Sequence, residues 1–346
     1  MNRIFTIALL ATVIMGCTPE KVSPVADPYV FTTPSNFPKA SYTFENNPVT
    51  KDGFELGRAL FYDPVLSSDS SIACANCHQQ VTAFADPVHR FSKGVGDVNG
   101  VRNAPAIQNM AFQTHFFWDG GANHLDFVPI NAITSNIEMA EKLVNVLKKL
   151  ERGKTYPEKF NAAFGSKEVT SQKMLYALSQ FMCMLVSSNS RYDKYVRGEG
   201  EILTSQELNG LSLFSQKCSS CHATDLFTDG SFRNNGLDAS FALDSGRQRI
   251  TEISGDRGKF KVPSLRNADV TKRYMHDGRF NTLKEVLDHY GSNVIVSETL
   301  DPILNSNGVK GISLSEQQKL DIISFIKTLT DTEYTHDKRF SNPFLK

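Results

Sequence analysis

The apolar positions fall into helical stripes along most of the chain. In "EKLVNVLKKLERG" they recur three and four residues apart, with basic residues gathered toward the C-terminal end, where they oppose the helix dipole. "SQKMLYALSQFMCMLV" reads as a second, more buried helix, and "SEQQKLDIISFIKTLTD" as a third. In "TLKEVLDHYG", Leu283, Val286, Leu287 and Tyr290 share one stripe, Thr282 and Glu285 make a capping box, and Gly291 supplies a stop. Alternation with period two is scarce, so the pattern predicts an all-α fold. Long stretches rich in Gly, Asn and Asp separate the helices, such as "FSKGVGDVNGVRNAP" and "LDASFALDSGRQRITEISGDRG". Loops of that length need an anchor such as a cofactor or an ion, or carry function themselves.

The N-terminus departs from this pattern. "MNR" precedes the apolar run "IFTIALLATVIMG" and then Cys17. The run is too short to span a bilayer and reads as the hydrophobic region of an export signal. Its ending, "VIMGC", resembles a bacterial lipobox; an ordinary signal peptide with an incidental cysteine is the blander reading. On the lipobox reading, residues 1–16 are a lipoprotein signal peptide, Cys17 is the lipidation site, and the Pro-rich residues 17–40 are a tether. The protein is then expected on the periplasmic side of a Gram-negative membrane, touching it only through the lipid.

The chain has 346 residues, enough for two domains with real cores. Its 37 basic and 37 acidic residues balance, which gives no electrostatic case for nucleic acid. The six cysteines sort themselves. Cys17 is assigned to lipid. Cys183 sits in an apolar helical stretch and reads as a buried, inert thiol. The other four form two C-x-x-C-H motifs, Cys74-Cys77-His78 and Cys218-Cys221-His222. In such a motif two thiols add to the vinyl groups of one haem, and the adjacent histidine reaches the iron from the same face. No further C-x-x-C pair is present to complete a zinc centre. "ELGRALF" ahead of "CANCH" echoes "LNGLSLFSQK" ahead of "CSSCH", a weak internal duplication. With the polar segment "VRGEGEILTSQEL" as the boundary, residues 41–198 and 199–346 become two domains with one c-type haem each.

These landmarks, with "RNAPAIQN", "FFWDGGA", "NIEMAEKL", "VPSLRNADVTKRYMHDGRF" and "TLKEVLDHYG" in order, resemble the bacterial di-haem cytochrome c peroxidase family, including its MauG-type branch. The resemblance covers nearly the whole mature chain. It implies two cytochrome c-like domains, hydrogen peroxide reacting at the first haem, and a second haem that passes electrons. In the peroxidase branch a loop histidine ligates the first haem in the resting enzyme. Val95 or a neighbour stands there, in "SKGVGDVNG", so the resemblance implies an open first iron. His89 is the nearest substitute ligand.

At the second haem the resemblance points to Tyr290, where peroxidases carry Met and the MauG branch Tyr. Met275 is the competing ligand, because Met opposite His raises the potential. Tyr290 also reads simply as core. Trp118 matches the family tryptophan between the haems, and a buried aromatic anchor is its plainer reading. Glu138 matches the distal carboxylate that handles the peroxide proton. Ser135-x-x-Glu138 equally reads as a capping box. Val128 replaces a distal glutamine. His276 matches a histidine beside the second haem, and Asn103, Thr271 and Arg273 match oxygen ligands of a calcium ion between the domains.

The implied activity is reduction of peroxide to water with electrons from a small cytochrome c or cupredoxin. A MauG-like oxidase, acting on a protein or small molecule through a high-valent state, is the alternative. A non-enzymatic electron carrier is the third reading, and a homodimer is an open possibility.

Overall fold

The computed structural model describes residues 27–306 and 308–345. The expected signal peptide and Cys17 lie outside the described residues. Helices carry the architecture. Among the described residues the strands are two short antiparallel pairs, Phe232–Arg233 with Phe260–Lys261 and Asn305–Ser306 with Val309–Lys310.

Each half is built on one pair of packed helices. In the first, Lys51–Tyr62 lies against Ser171–Met184. Thr50 and Thr170 cap these helices by accepting from Gly53 N and Lys173 N. They cross at Gly57, where an added Cβ would lie 1.9 Å from the Ala177 carbonyl oxygen. In the second half, Ser205–Lys217 lies against Glu316–Lys327, and an added Cβ on Gly210 would lie 2.0 Å from the Asp321 carbonyl oxygen. Phe181 and Phe325 meet the two glycines at matching places. So the glycine shared by "ELGRALF" and "LNGLSLF" is the point of closest helix approach in both halves.

The repeat runs deeper than the haem motifs. Asn109 and Asn267 both adopt left-handed backbone, with φ of 55° and 57°. Asn109 Oδ1 accepts from Ser187 N at 2.9 Å, and Asn267 Oδ1 from Asp331 N at 2.7 Å. Each asparagine thereby ties its loop to the chain leaving the second helix of its pair. Phe117 and Met275 are also left-handed, at φ 66° and 71°, within matching turns.

The buried apolar residues form two clusters. Phe54, Phe61, Phe84 and Phe181 belong to the first, and Phe214, Phe227, Leu287 and Phe325 to the second. Tyr334 and Phe340, near the chain end, pack into the first cluster, and Tyr334 Oη donates to the Ile107 carbonyl at 2.7 Å. At the junction of the halves, Asn103 N donates to the His276 carbonyl at 2.8 Å and Lys261 N to the Trp118 carbonyl at 2.7 Å. Arg266 and Asp193 form a fully buried ion pair, at 2.7 Å, that also takes a hydrogen bond from Asn36.

That last contact bears on the Pro-rich segment expected as a tether. From Tyr29 onward it is laid onto the body: Phe31 packs on the first cluster, and Phe37 is buried under the Arg266 guanidinium. Its aromatic residues, which composition alone did not weigh, supply the docking area. The helix carrying Tyr290 runs Leu283–Ser292, with the Thr282–Glu285 capping box in place. Gly291 lies inside its last turn and Asn293 caps it. Gly291 needs no left-handed conformation here, so the expected stop comes slightly later.

Candidate functional site

Each C-x-x-C-H segment holds its histidine in the same way. His78 Nδ1 bonds the Phe84 carbonyl at 2.9 Å, and His222 Nδ1 bonds the Phe227 carbonyl at 3.1 Å. A second carbonyl, of Pro105 or Pro263, faces each ring. Burial lowers both histidine pKa values, which favours the neutral form of the rings. With Nδ1 committed as a donor, Nε2 is left as the ligating nitrogen. The residues present therefore fit two c-type haems, each with its cysteines and an oriented histidine.

In the first half, the Gly- and Asn-rich stretch after His89 is a folded hairpin. Ser92 N donates to Arg102 O at 3.2 Å, Gly94 N to Val98 O at 2.8 Å and Gly100 N to Ser92 O at 2.8 Å. Val95 N then donates to the Glu138 carbonyl at 2.8 Å. A Cβ on Gly94 would lie 2.4 Å from the Ile137 carbonyl oxygen, which explains the glycine. The Lys93 carbonyl sits 3.9 Å from Cys77 Sγ. So the segment around Val95, where the resemblance implies a loop histidine in the peroxidase branch, is fastened between Cys77 and Glu138.

The Glu138 side chain makes no hydrogen bond or ion pair among the described residues, and burial raises its pKa. Burial is the first cause that also raises the Cys74 and Cys77 pKa values, and the Glu138 carboxylate adds to it. The carboxylate thus lies within electrostatic reach of both thiols. The competing capping-box reading does not form. Ser135 ends the helix Val128–Thr134, and the next helix, Leu143–Leu150, starts after Lys142. Val128 opens that first helix and packs on the first cluster. His89 is tied to Asp86 through Nδ1 at 2.9 Å, and its backbone N–H bonds the same carboxylate at 3.0 Å.

The second half holds an apolar cleft lined by Cys218, Cys221, His222, Met275, Tyr290 and Trp118 among others. Both ligand candidates therefore face it. Burial pushes the Tyr290 phenol up to about 12. His276 stacks flat on Phe260, with centroids 3.6 Å apart, and burial lowers its pKa to about 4. Trp118 borders this cleft, while its Nε1 donates to the Asn103 carbonyl at 2.9 Å. Asn103 leads directly into Pro105, which faces His78, so the indole touches both sides of the junction.

The three residues matched to calcium also gather there. Asn103 Nδ2 donates to the His89 and Arg90 carbonyls at 3.1 and 3.2 Å, and Arg273 Nη2 to the Val88 carbonyl at 3.0 Å. The Thr271 carbonyl accepts from Arg273 N at 2.9 Å. Asn103 Oδ1 is left uncommitted among the described residues. Neutral oxygens of this kind suit a hard cation.

Sequence reasoning missed Lys261 and Asn235. Lys261 lines the second cleft, and its Nζ donates to Gln113 Oε1 at 2.6 Å. Burial lowers its pKa to about 8. Its place just before Val262-Pro263 was the available signal, since "RNAP" and "FKVP" occupy matching positions in the two halves. Asn235 had no such signal.

Residues 51–201 match the family model described as di-haem cytochrome c peroxidase. Methylamine utilization protein MauG of Methylorubrum extorquens is 35% identical over 82% of this chain and 79% of its own length. The chain belongs to the di-haem cytochrome c peroxidase family. Cytochrome c551 peroxidase of Nitrosomonas europaea is 31% identical over 82% of this chain and 81% of its own. A solved MauG-like protein associated with microbial copper homeostasis superposes with a TM-score of 0.82, at 31% identity, over 90% of this chain and 99% of that one. Membership of the di-haem cytochrome c peroxidase family implies two c-type haems. Among the described residues no helix is long and apolar enough to cross a membrane.

Proposed function

We propose that this protein is a peroxide-driven di-haem oxidoreductase of the MauG branch. The first haem would supply the chemistry of peroxide reduction, and Trp118, at the junction of the halves, would pass electrons to it from the second. One observation supports this above the others: the hairpin bearing Val95 is fastened to the Glu138 carbonyl at 2.8 Å and carries no histidine, while the Glu138 carboxylate lies within electrostatic reach of Cys74 and Cys77. The haems supply the redox chemistry.

The chain's own residues do the rest. His78 and His222, oriented by the Phe84 and Phe227 carbonyls, would hold the two haem irons. Glu138 takes a proton from the near oxygen of peroxide and returns it to the far one, so that oxygen leaves as water. Two electrons and two further protons complete reduction to a second water. Asn103 holds the Trp118 indole by its N–H. Asn103 and the Thr271 and Arg273 carbonyls would hold a calcium ion that stiffens the same junction.

Tyr290 bears on where the electrons originate. Held to the second haem's iron as a phenolate, Tyr290 would favour the oxidised state, which suits withdrawal of electrons from a protein or small-molecule substrate. Met275 in the same cleft favours the second reading, a peroxidase supplied by a small cytochrome c or cupredoxin. A carrier without catalysis is the weakest reading, because a carrier gains nothing from a free acid such as Glu138 beside an iron. Export and lipid attachment at Cys17 belong to the same proposal.

Turnover separates the readings. The peroxide consumed per mole of reduced cytochrome oxidised is measured with the holoprotein, against peroxide consumption with no reduced donor present. Rapid donor oxidation would favour the peroxidase. Slow donor oxidation, with peroxide-dependent modification of a partner protein, supports the proposal.

A further inference from the structure

Met275 and Tyr290 both line the second cleft, yet only one can stand opposite His222. Asn235 lines the same cleft. Its Nδ2 donates to Met275 Sδ at 3.3 Å. An ionised aspartate or an aliphatic residue has no N–H to offer the sulfur.

The position of Asn235 is itself well fixed. His289 Nε2 bonds the Asn235 carbonyl at 3.0 Å, which ties Asn235 to the helix residue just before Tyr290. On the next residues, Gly236 N bonds Asn234 Oδ1 at 2.9 Å and Ile295 N bonds Gly236 O at 2.8 Å. Met275 is equally constrained. It sits at φ 71°, a conformation unfavourable for a side chain with a Cβ, in a turn closed by Gly278 N on the Met275 carbonyl at 3.2 Å. Its thioether is a weak acceptor, and a lone pair held by an N–H is a poorer ligand to iron.

We infer that Asn235 selects the second haem's ligand: its amide ties back the Met275 thioether and so leaves the position to Tyr290. Asn235 is a positioning residue, acting through the Met275 side chain. The inference rests on ligation by Tyr290, and the two can fail separately.

The test uses the holoprotein with both haems. Electron paramagnetic resonance and near-infrared magnetic circular dichroism read the ligand of the oxidised second haem. Tyr290→Phe first establishes the phenolate signature; if it leaves the second haem unchanged, ligation by Tyr290 is wrong and the inference falls with it. With that signature in hand, Asn235→Leu and the near-isosteric Asn235→Asp are expected to lose it and to gain a thioether signature. That new signature is expected to vanish in Asn235→Leu/Met275→Leu. A wild-type spectrum in Asn235→Leu and Asn235→Asp overturns the inference. So does a five-coordinate second haem in both, because Met275 would then not be the ligand held back.

Discussion

Replacing Gly57 or Gly210 by alanine probes the scaffold that sets the haem motifs in place. The new Cβ would sit 1.9 Å from the Ala177 carbonyl oxygen in the first half and 2.0 Å from the Asp321 carbonyl oxygen in the second. Ordinary contact begins at 3.4 Å, so each contact falls short by about 1.4–1.5 Å and the helix pair must part to relieve it. The obstacle is backbone of a packed helix, which cannot swing aside as a side chain can. Overpacking of this kind costs ~1–3 kcal/mol. Alanine returns ~1 kcal/mol through its better helix propensity. The clash is severe enough to place the cost at the upper end of its range, leaving a net loss of about 2 kcal/mol. For domains of this size that lowers Tm by ~4–8 °C. Thermal unfolding of the holoprotein, followed at the haem absorbance of each half, checks it. Gly57→Ala should loosen the first haem's surroundings before the second's, and Gly210→Ala the reverse. A Tm equal to or above wild type would mean that propensity wins and that the helices do not approach as closely as described.

Further expectations rest on single side chains. Glu138→Gln should slow the reaction with peroxide ~10²–10⁴-fold in stopped-flow measurements. Because burial raises the Glu138 pKa and the base is the ionised form, the wild-type rate should fall as pH drops through a value above the usual carboxylate range, and the variant should lack that limb. Burial raises the Asp193 pKa, but Arg266, Ser190 and Asn36 together outweigh it and hold the carboxyl below its ordinary value. Its stabilising contribution is therefore complete above the unfolded carboxylate pKa of ~3.9 and is lost as pH falls through the lower folded value. Asp193→Asn should cost ~3–5 kcal/mol in denaturant unfolding at neutral pH, by stranding Arg266, and the gap should close in acid. Trp118→Phe should leave the first encounter with peroxide intact while slowing oxidation of the second haem, as seen by rapid-mixing spectroscopy.

Local signals were legible where one residue decides the structure by itself. The C-x-x-C-H pairs, the Thr282–Glu285 capping box and the helical stripes needed no tertiary knowledge, and the helices duly form. Cys183 is buried, and burial first of all holds its thiol pKa well up, as an inert thiol requires. Signals failed where one pattern serves two purposes. Ser135-x-x-Glu138 has capping-box spacing, but the chain turns there and starts its helix later. Gly291 follows an apolar stripe as a helix stop does, yet keeps helical backbone. Contacts between residues far apart in sequence were invisible. Asn235 against Met275, Lys261 against Gln113 and Val95 against Glu138 exist only because the two halves and their hairpins fold together. The duplication looked weak because its strongest correspondences, Asn109 with Asn267 and Gly57 with Gly210, are backbone roles with different side chains around them.

An open first iron beside Glu138, with Tyr290 opposite His222 on the second, can be tested on the oxidised protein as purified. Electron paramagnetic resonance is recorded before and after one equivalent of hydrogen peroxide, with no reductant present. The expected result is a high-spin, five-coordinate first haem and a low-spin second haem whose signal is lost in Tyr290→Phe, with both signals changing on peroxide addition. Two low-spin, six-coordinate haems that ignore peroxide until an electron is supplied would contradict it.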